Sequence, residues 1–167
     1  NGVGGGFTVV NDANLLISSA TINVKNTTGE IRAFQPLTTG NVTIQNSSIN
    51  AESSSGDAYV ISAFQGNISI ENSNIFASSN NGKAYGINNN SNYGNDSAKI
   101  TVTNTNILAS SRDAFACGIN NNSVNGDEAG VVTISNSNIK AYANYQTVNV
   151  DHNQSSVGIV NSSILTI

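Results

Sequence analysis

Apolar and polar residues alternate along most of this chain. In Val42, Thr43 and Ile44, and again in Val132, Thr133 and Ile134, apolar side chains fall at every second position. That is the period of a strand with one buried face, and no stretch sustains the three-to-four spacing of an amphipathic helix. Ile, Val and Thr suit a pleated surface, whereas the Asn-Ser and Asn-Thr pairs that follow each run form turns through side-chain to backbone bonds. Each run therefore predicts strand, turn, strand.

The runs recur. Six segments align without gaps: ANLLISSATINV (13–24), GNVTIQNSSINA (40–51), GNISIENSNIFA (66–77), AKITVTNTNILA (98–109), GVVTISNSNIKA (130–141) and SVGIVNSSILT (156–166). One column holds Ile17, Ile44, Ile70, Val102, Ile134 and Ile159; another holds Ile22, Ile49, Ile75, Ile107, Ile139 and Ile164. Between them lies Ser19, followed in later repeats by Asn46, Asn72, Asn104, Asn136 and Asn161. A second motif, GEIRAF (29–34), GDAYVI (56–61), GKAYGI (82–87) and FACGIN (115–120), with a degenerate version near Val148 and Val150, predicts a further strand per repeat.

A unit of 25 to 32 residues made only of strands and turns cannot bury its apolar side alone, so it stacks on its neighbours. The expectation is an all-β fold, a right-handed parallel β-helix of about five to six coils, each rising roughly 4.8 Å. Identical positions of successive coils then lie above one another. The Ile columns become interior ladders, and the Asn column becomes a structural amide ladder, since Asn tolerates the left-handed conformation and bonds its own backbone. The outward Thr43, Ser69, Thr101 and Thr133 column raises ice binding, but one hydroxyl per coil reads more simply as ordinary outward strand surface. Residues 1–167 make one β-helix domain, with 1–12 a linker or partial first coil; the strand pattern still running at Ile167 suggests a segment of a longer protein.

Composition sharpens this picture. Among 167 residues there are 30 Asn, 23 Ser and 13 Thr, but only 10% are charged, so amides and hydroxyls solvate the surface. Six Lys and Arg and a net charge of −4 provide no basic stripe for phosphates, which sets nucleic acid aside as a partner. No apolar run is long enough to span a membrane, and residues 1–15 lack the layout of a secretory signal. A lone Cys117 excludes an intrachain disulfide, and the only histidine, His152 beside Asp151, has no nucleophile or zinc-ligand spacing around it. Sequons such as that at Asn26 arise by chance at this Asn and Ser content.

Candidate chemistry sits in three places. The two longest repeats carry insertions after the GINNN motif, which place Tyr93, Asn95 and Asp96 on one loop and Asn125, Asp127 and Glu128 on the next. Amides and carboxylates hydrogen-bond sugar hydroxyls, an aromatic ring stacks on a sugar face, and three acids can ligate Ca²⁺, so these six residues form the candidate ligand site; no other cofactor is expected. Repeat register also brings Glu30, Asp57 and Lys83 together, with Arg112 and Asp113 on the next coil, either as a small site or as a solvated turn face. Tyr59 and Tyr85 share a column with Cys117, either as an outward aromatic strip for glycan stacking or as inward core with Cys117 a small buried hydrophobe; the Ile61, Ile87 and Ile119 column two places on favours inward.

Gly86-Ile87-Asn88-Asn89-Asn90 and Gly118-Ile119-Asn120-Asn121-Asn122, each followed by a Gly-containing loop and a new strand, resemble the repeats of pectin-lyase-like β-helices in bacterial surface proteins. The resemblance covers most of residues 14–166, with Asn where those repeats often carry Gly. It implies an extracellular or cell-surface module of adhesin or carbohydrate-binding type. The expected role is a non-enzymatic stalk or glycan-binding segment with a glycan or host-surface partner. The alternatives are a polysaccharide lyase or hydrolase using the region of Glu30, Asp57, Lys83 and Arg112, and a structural filament joined by end-to-end self-association.

Overall fold

In the computed structural model the described residues are 4–9, 14–36, 40–63, 66–91, 99–123, 130–143, 156–161 and 165–166. They are strands joined by turns, wound into a parallel β-helix. The first coil contributes β1 (Gly4–Val9), β2 (Leu15–Ser18) and β3 (Thr21–Asn26), and the second β4 (Ile31–Pro36), β5 (Val42–Gln45) and β6 (Ser48–Ser53). The third contributes β7 (Ala58–Ala63), β8 (Ile68–Glu71) and β9 (Asn74–Ser79), and the fourth β10 (Ala84–Ser91), β11 (Ile100–Thr103) and β12 (Asn106–Ser111). The fifth holds β13 (Ala116–Ser123), β14 (Val132–Ser135) and β15 (Asn138–Ala143), followed by β16 (Ser156–Asn161) and β17 (Leu165–Thr166).

Every third strand pairs in parallel with its counterpart one coil away, giving three sheets. The first sheet runs β1-β4-β7-β10-β13-β16, the second β2-β5-β8-β11-β14-β17, and the third β3-β6-β9-β12-β15. Register is strict: Ile44 pairs with Ile70, Ile70 with Val102, and Val102 with Ile134. Ile49, Ile75 and Ile107 do the same in the third sheet. These side chains are buried in one continuous core, flanked by columns of Ala51, Ala77 and Ala109 and of Ala58, Ala84 and Ala116 where the coil is narrow. Each buried Ile contributes on the order of 1.5–3 kcal/mol.

Alternation lapses in the first sheet, where the consecutive Val60 and Ile61 both belong to the core. The chain turns inward there, so Tyr59 does not share the face of Ile61. Tyr59 and Cys117 are buried yet lie outside the core cluster, on the strand face away from Ala58 and Ala116. Of the two directions open to Tyr59 and to Tyr85 stacked on it, strict two-residue alternation favours the inward one, and the break at Val60 and Ile61 gives the other.

The last repeat is also corrected. Ile159 pairs with Ile119 and Asn161 with Asn121 in the first sheet, and Leu165 with Val132 in the second. Residues 156–161 are thus the counterpart of the Cys117-Gly118-Ile119 strand, and Asn161 stands outside the turn column of Asn46. Glycine supplies the physical reason. A Cβ on Gly118 would lie 2.6 Å from Gly158 O and collide with Ile139 Cγ2, so no side chain fits at Gly118, against which Gly158 packs. Val148 and Val150, the sites first expected to supply this strand, lie outside the described residues.

Candidate functional site

The turn between the second and third sheets begins with Ser19, Asn46, Asn72, Asn104 and Asn136, whose φ values run from 47° to 52°. This left-handed conformation is the one in which Asn replaces glycine most readily. The four Asn side chains are exposed, and Asn104 Nδ2 donates to Asn72 Oδ1 at 3.2 Å. The buried tie at this corner is a hydroxyl ladder one residue on. Ala20 N donates to Ser47 Oγ at 3.1 Å, Ser47 N to Ser73 Oγ at 3.1 Å, Ser73 N to Thr105 Oγ1 at 3.2 Å, and Thr105 N to Ser137 Oγ at 3.1 Å.

Further amide columns join the coils. Asn41 N donates to Asn14 Oδ1 at 3.2 Å, Asn67 N to Asn41 Oδ1 at 3.0 Å, and Lys99 N to Asn67 Oδ1 at 3.0 Å. Inside, Asn89 Nδ2 donates to Asn121 Oδ1 at 2.6 Å and Asn121 Nδ2 to Gly130 O at 2.7 Å. With Asn106 Nδ2 donating to Asn74 Oδ1 at 3.1 Å and Asn120 Nδ2 to Asn88 Oδ1 at 2.7 Å, the repeated Asn act in five columns, one of which is the turn column of the sequence alignment.

Glu30, Asp57 and Lys83 do stack on successive coils, as the first-sheet register requires. The two carboxylates are engaged in local bonds. Glu30 pairs with Arg32, whose guanidinium lies 5.4 Å from the Tyr59 ring centroid. Asp57 Oδ2 accepts the Tyr59 hydroxyl at 2.9 Å, and its Oδ1 accepts Lys83 N at 2.7 Å. The next place in the column belongs to Phe115, because Ala84 pairs with Ala116. Arg112 and Asp113 lie on the preceding turn instead, where the Arg112 guanidinium contacts Asp113 Oδ2 at 3.0 Å and Asn81 Oδ1 at 2.9 Å. The expected five-residue grouping thus divides in two.

Tyr59 and Tyr85 stack face to face, with centroids 5.1 Å apart and planes within 2°, and Phe115 follows at 5.7 Å. Burial pushes the Tyr85 phenol up to about 12, with Asp57 adding to the shift, and raises that of Tyr59 further. Since the two tyrosine faces meet each other, this column works as an axial tie and offers little face to a ligand.

An exposed aromatic sits elsewhere. In the third sheet, outward positions of successive coils fall into columns, and one of them reads Lys25, Glu52, Ser78, Ser110 and Tyr142. Tyr142 is 55% exposed. Beside it opens a cleft of about 230 Å³ lined by Ser78, Ser79, Asn80, Ser110, Ser111 and Arg112 together with Tyr142. The cleft floor is rigid: Ser79 Oγ donates to Gly56 O at 2.7 Å and accepts Gly82 N at 2.8 Å, and Ser111 Oγ donates to Gly82 O at 2.8 Å and accepts Ala114 N at 3.0 Å. The rim differs: among the described residues the Ser78 and Ser110 hydroxyls and the Asn80 side-chain amide have no hydrogen-bond partner. An aromatic face, two hydroxyls, an amide and a guanidinium thus converge with donor and acceptor capacity in reserve.

Tyr142 escaped the sequence reading because it lies at a position where the other repeats carry Ser, Glu or Lys. That exception was the available signal. The sequence-derived loop residues Tyr93, Asn95, Asp96, Asn125, Asp127 and Glu128 lie outside the described residues, as does His152. Among the described residues no three of His, Cys, Asp and Glu come together as metal ligands, and no helix is long and apolar enough to cross a membrane. No family model matches the chain, nor does any of the curated proteins or solved structures compared with it.

Proposed function

We propose that this β-helix is a non-enzymatic carbohydrate-binding segment of a bacterial surface or secreted protein, and that it holds glycans at the cleft beside Tyr142. The observation that carries this reading is the convergence of an exposed tyrosine with Ser78, Ser110 and Asn80 side-chain groups that bond none of the described residues, on a floor locked by inter-coil bonds. Sugars present an apolar ring face edged by hydroxyls, so a flat aromatic beside small donors and acceptors matches them, and a preorganised floor limits the entropy lost on binding. The extracellular setting rests on the resemblance to pectin-lyase-like surface repeats. Against the lyase or hydrolase alternative weighs the state of its acids: Glu30 and Asp57 are tied to Arg32, Tyr59 and Lys83, and Arg112 stands apart from them.

The test is a glycan-array screen of the full chain against a Tyr142→Ala variant. Saturable binding by the parent and its loss in the variant, with circular dichroism unchanged, is the expected result. Retained binding in the variant would return the site to the loops bearing Tyr93 and Asp127.

A further inference from the structure

The cleft has a direction. Its rim groups come from three successive coils in a single register column, Ser78 pairing with Ser110 and Ser110 with Tyr142, so they lie along the rod axis at intervals of roughly 4.8 Å. At one end stands the Tyr142 ring. At the other the column continues into Glu52, whose carboxylate is taken by Lys25 Nζ at 2.8 Å and by Asn50 Nδ2 at 2.5 Å. Lys25 holds the Glu52 carboxyl below its ordinary value, and with its partners in place Glu52 has little left for a ligand. The side wall is Arg112, clamped by Asp113 and Asn81. Open hydrogen-bonding capacity in this column therefore spans three coils and then stops.

Building on the carbohydrate reading, we propose that the cleft takes a short linear oligosaccharide lying along the rod axis, one sugar per coil, with the first on Tyr142 and the next two over Ser110 and Ser78. A pyranose unit in an extended chain advances by about the length of one coil's rise, so one register serves every unit. Asn80, on the coil of Ser78, offers its amide to the third sugar. A chain lying crosswise, parallel to the strands, would pass instead from Tyr142 toward Lys140 and Asn138 and leave Ser78 two coils away.

The experiment is a titration of the full chain with oligomers of one to four units from three series: β-1,4-linked glucose, β-1,4-linked N-acetylglucosamine and α-1,4-linked galacturonate. Affinity in the recognised series should rise up to three units and level off at four. Ser110→Ala should weaken the disaccharide and trisaccharide roughly 2- to 10-fold, while Ser78→Ala weakens the trisaccharide alone to about the same extent. Both positions are outward surface sites, and an unchanged melting profile keeps the comparison clean. Equal affinity for one and three units, or indifference to both Ser substitutions, overturns the axial arrangement and leaves the carbohydrate reading standing. Failure of every oligomer to bind the correctly folded chain overturns the carbohydrate reading itself.

Discussion

Ser73, 2% exposed, shows how one hydroxyl serves two coils: it donates to Glu71 O at 2.7 Å within its own coil and accepts Ser47 N at 3.1 Å from the preceding one. Its neighbour Asn72 is more conspicuous in the alignment but is exposed and holds its place through backbone conformation, with φ at 49°. The two residues should respond differently to substitution. Ser73→Ala leaves the Ser47 N–H buried without an acceptor and should cost about 2 kcal/mol. Asn72→Gly keeps a residue that adopts positive φ freely and gives up two exposed side-chain hydrogen bonds, to Glu71 and from Asn104, so stability should stay within about 0.5 kcal/mol of the parent. Urea denaturation of both variants decides the matter. A loss at Asn72→Gly as large as that at Ser73→Ala would mean that the amide column, not the hydroxyl ladder, ties this corner.

At the scale of elements, the strand of the first sheet is where sequence and structure part. Strands of the second and third sheets were legible because their apolar residues alternate without a break, as in Ile68 and Ile70 or Ile75 and Ala77. The first-sheet strand carries Val60 and Ile61 inward together, and a period of two cannot report such a step. Nor can it separate one Val/Ile strand from another. Residues 156–161 therefore aligned with the second-sheet strands although they pair with residues 116–121 of the first sheet. The site was less legible than the fold, because a column of outward residues is defined only once the register is known, and Tyr142 acquires its neighbours Ser110 and Arg112 from other coils. If the stacking of Gly118 on Gly158 O and Ile139 fixes this strand, Gly118→Ala should destabilise the chain by about 1–3 kcal/mol through overpacking. Chemical denaturation measures this, and a neutral substitution would show that the strand has room to shift.

Among the described strands each coil pairs with the coils on either side, the second sheet running from β2 to β17 and the third from β3 to β15 in coil order. Stability in such a stack is a sum of coil terms and nearest-neighbour terms, so damage should stay near its origin. Ile75, 1% exposed in β9, lies between Ile49 and Ile107. Ile75→Ala deletes a stacked side chain that cannot be replaced by collapse from the rigid neighbouring coils, and should cost about 2–5 kcal/mol. Native-state hydrogen exchange gives the spatial answer that a single melting curve cannot. Amides of β6, β9 and β12 should lose the most protection, and those of β2 and β14 markedly less. Equal loss along all three sheets would show that the coils open together, and the rod would then behave as one cooperative unit whose rigidity at the Tyr142 cleft depends on every coil.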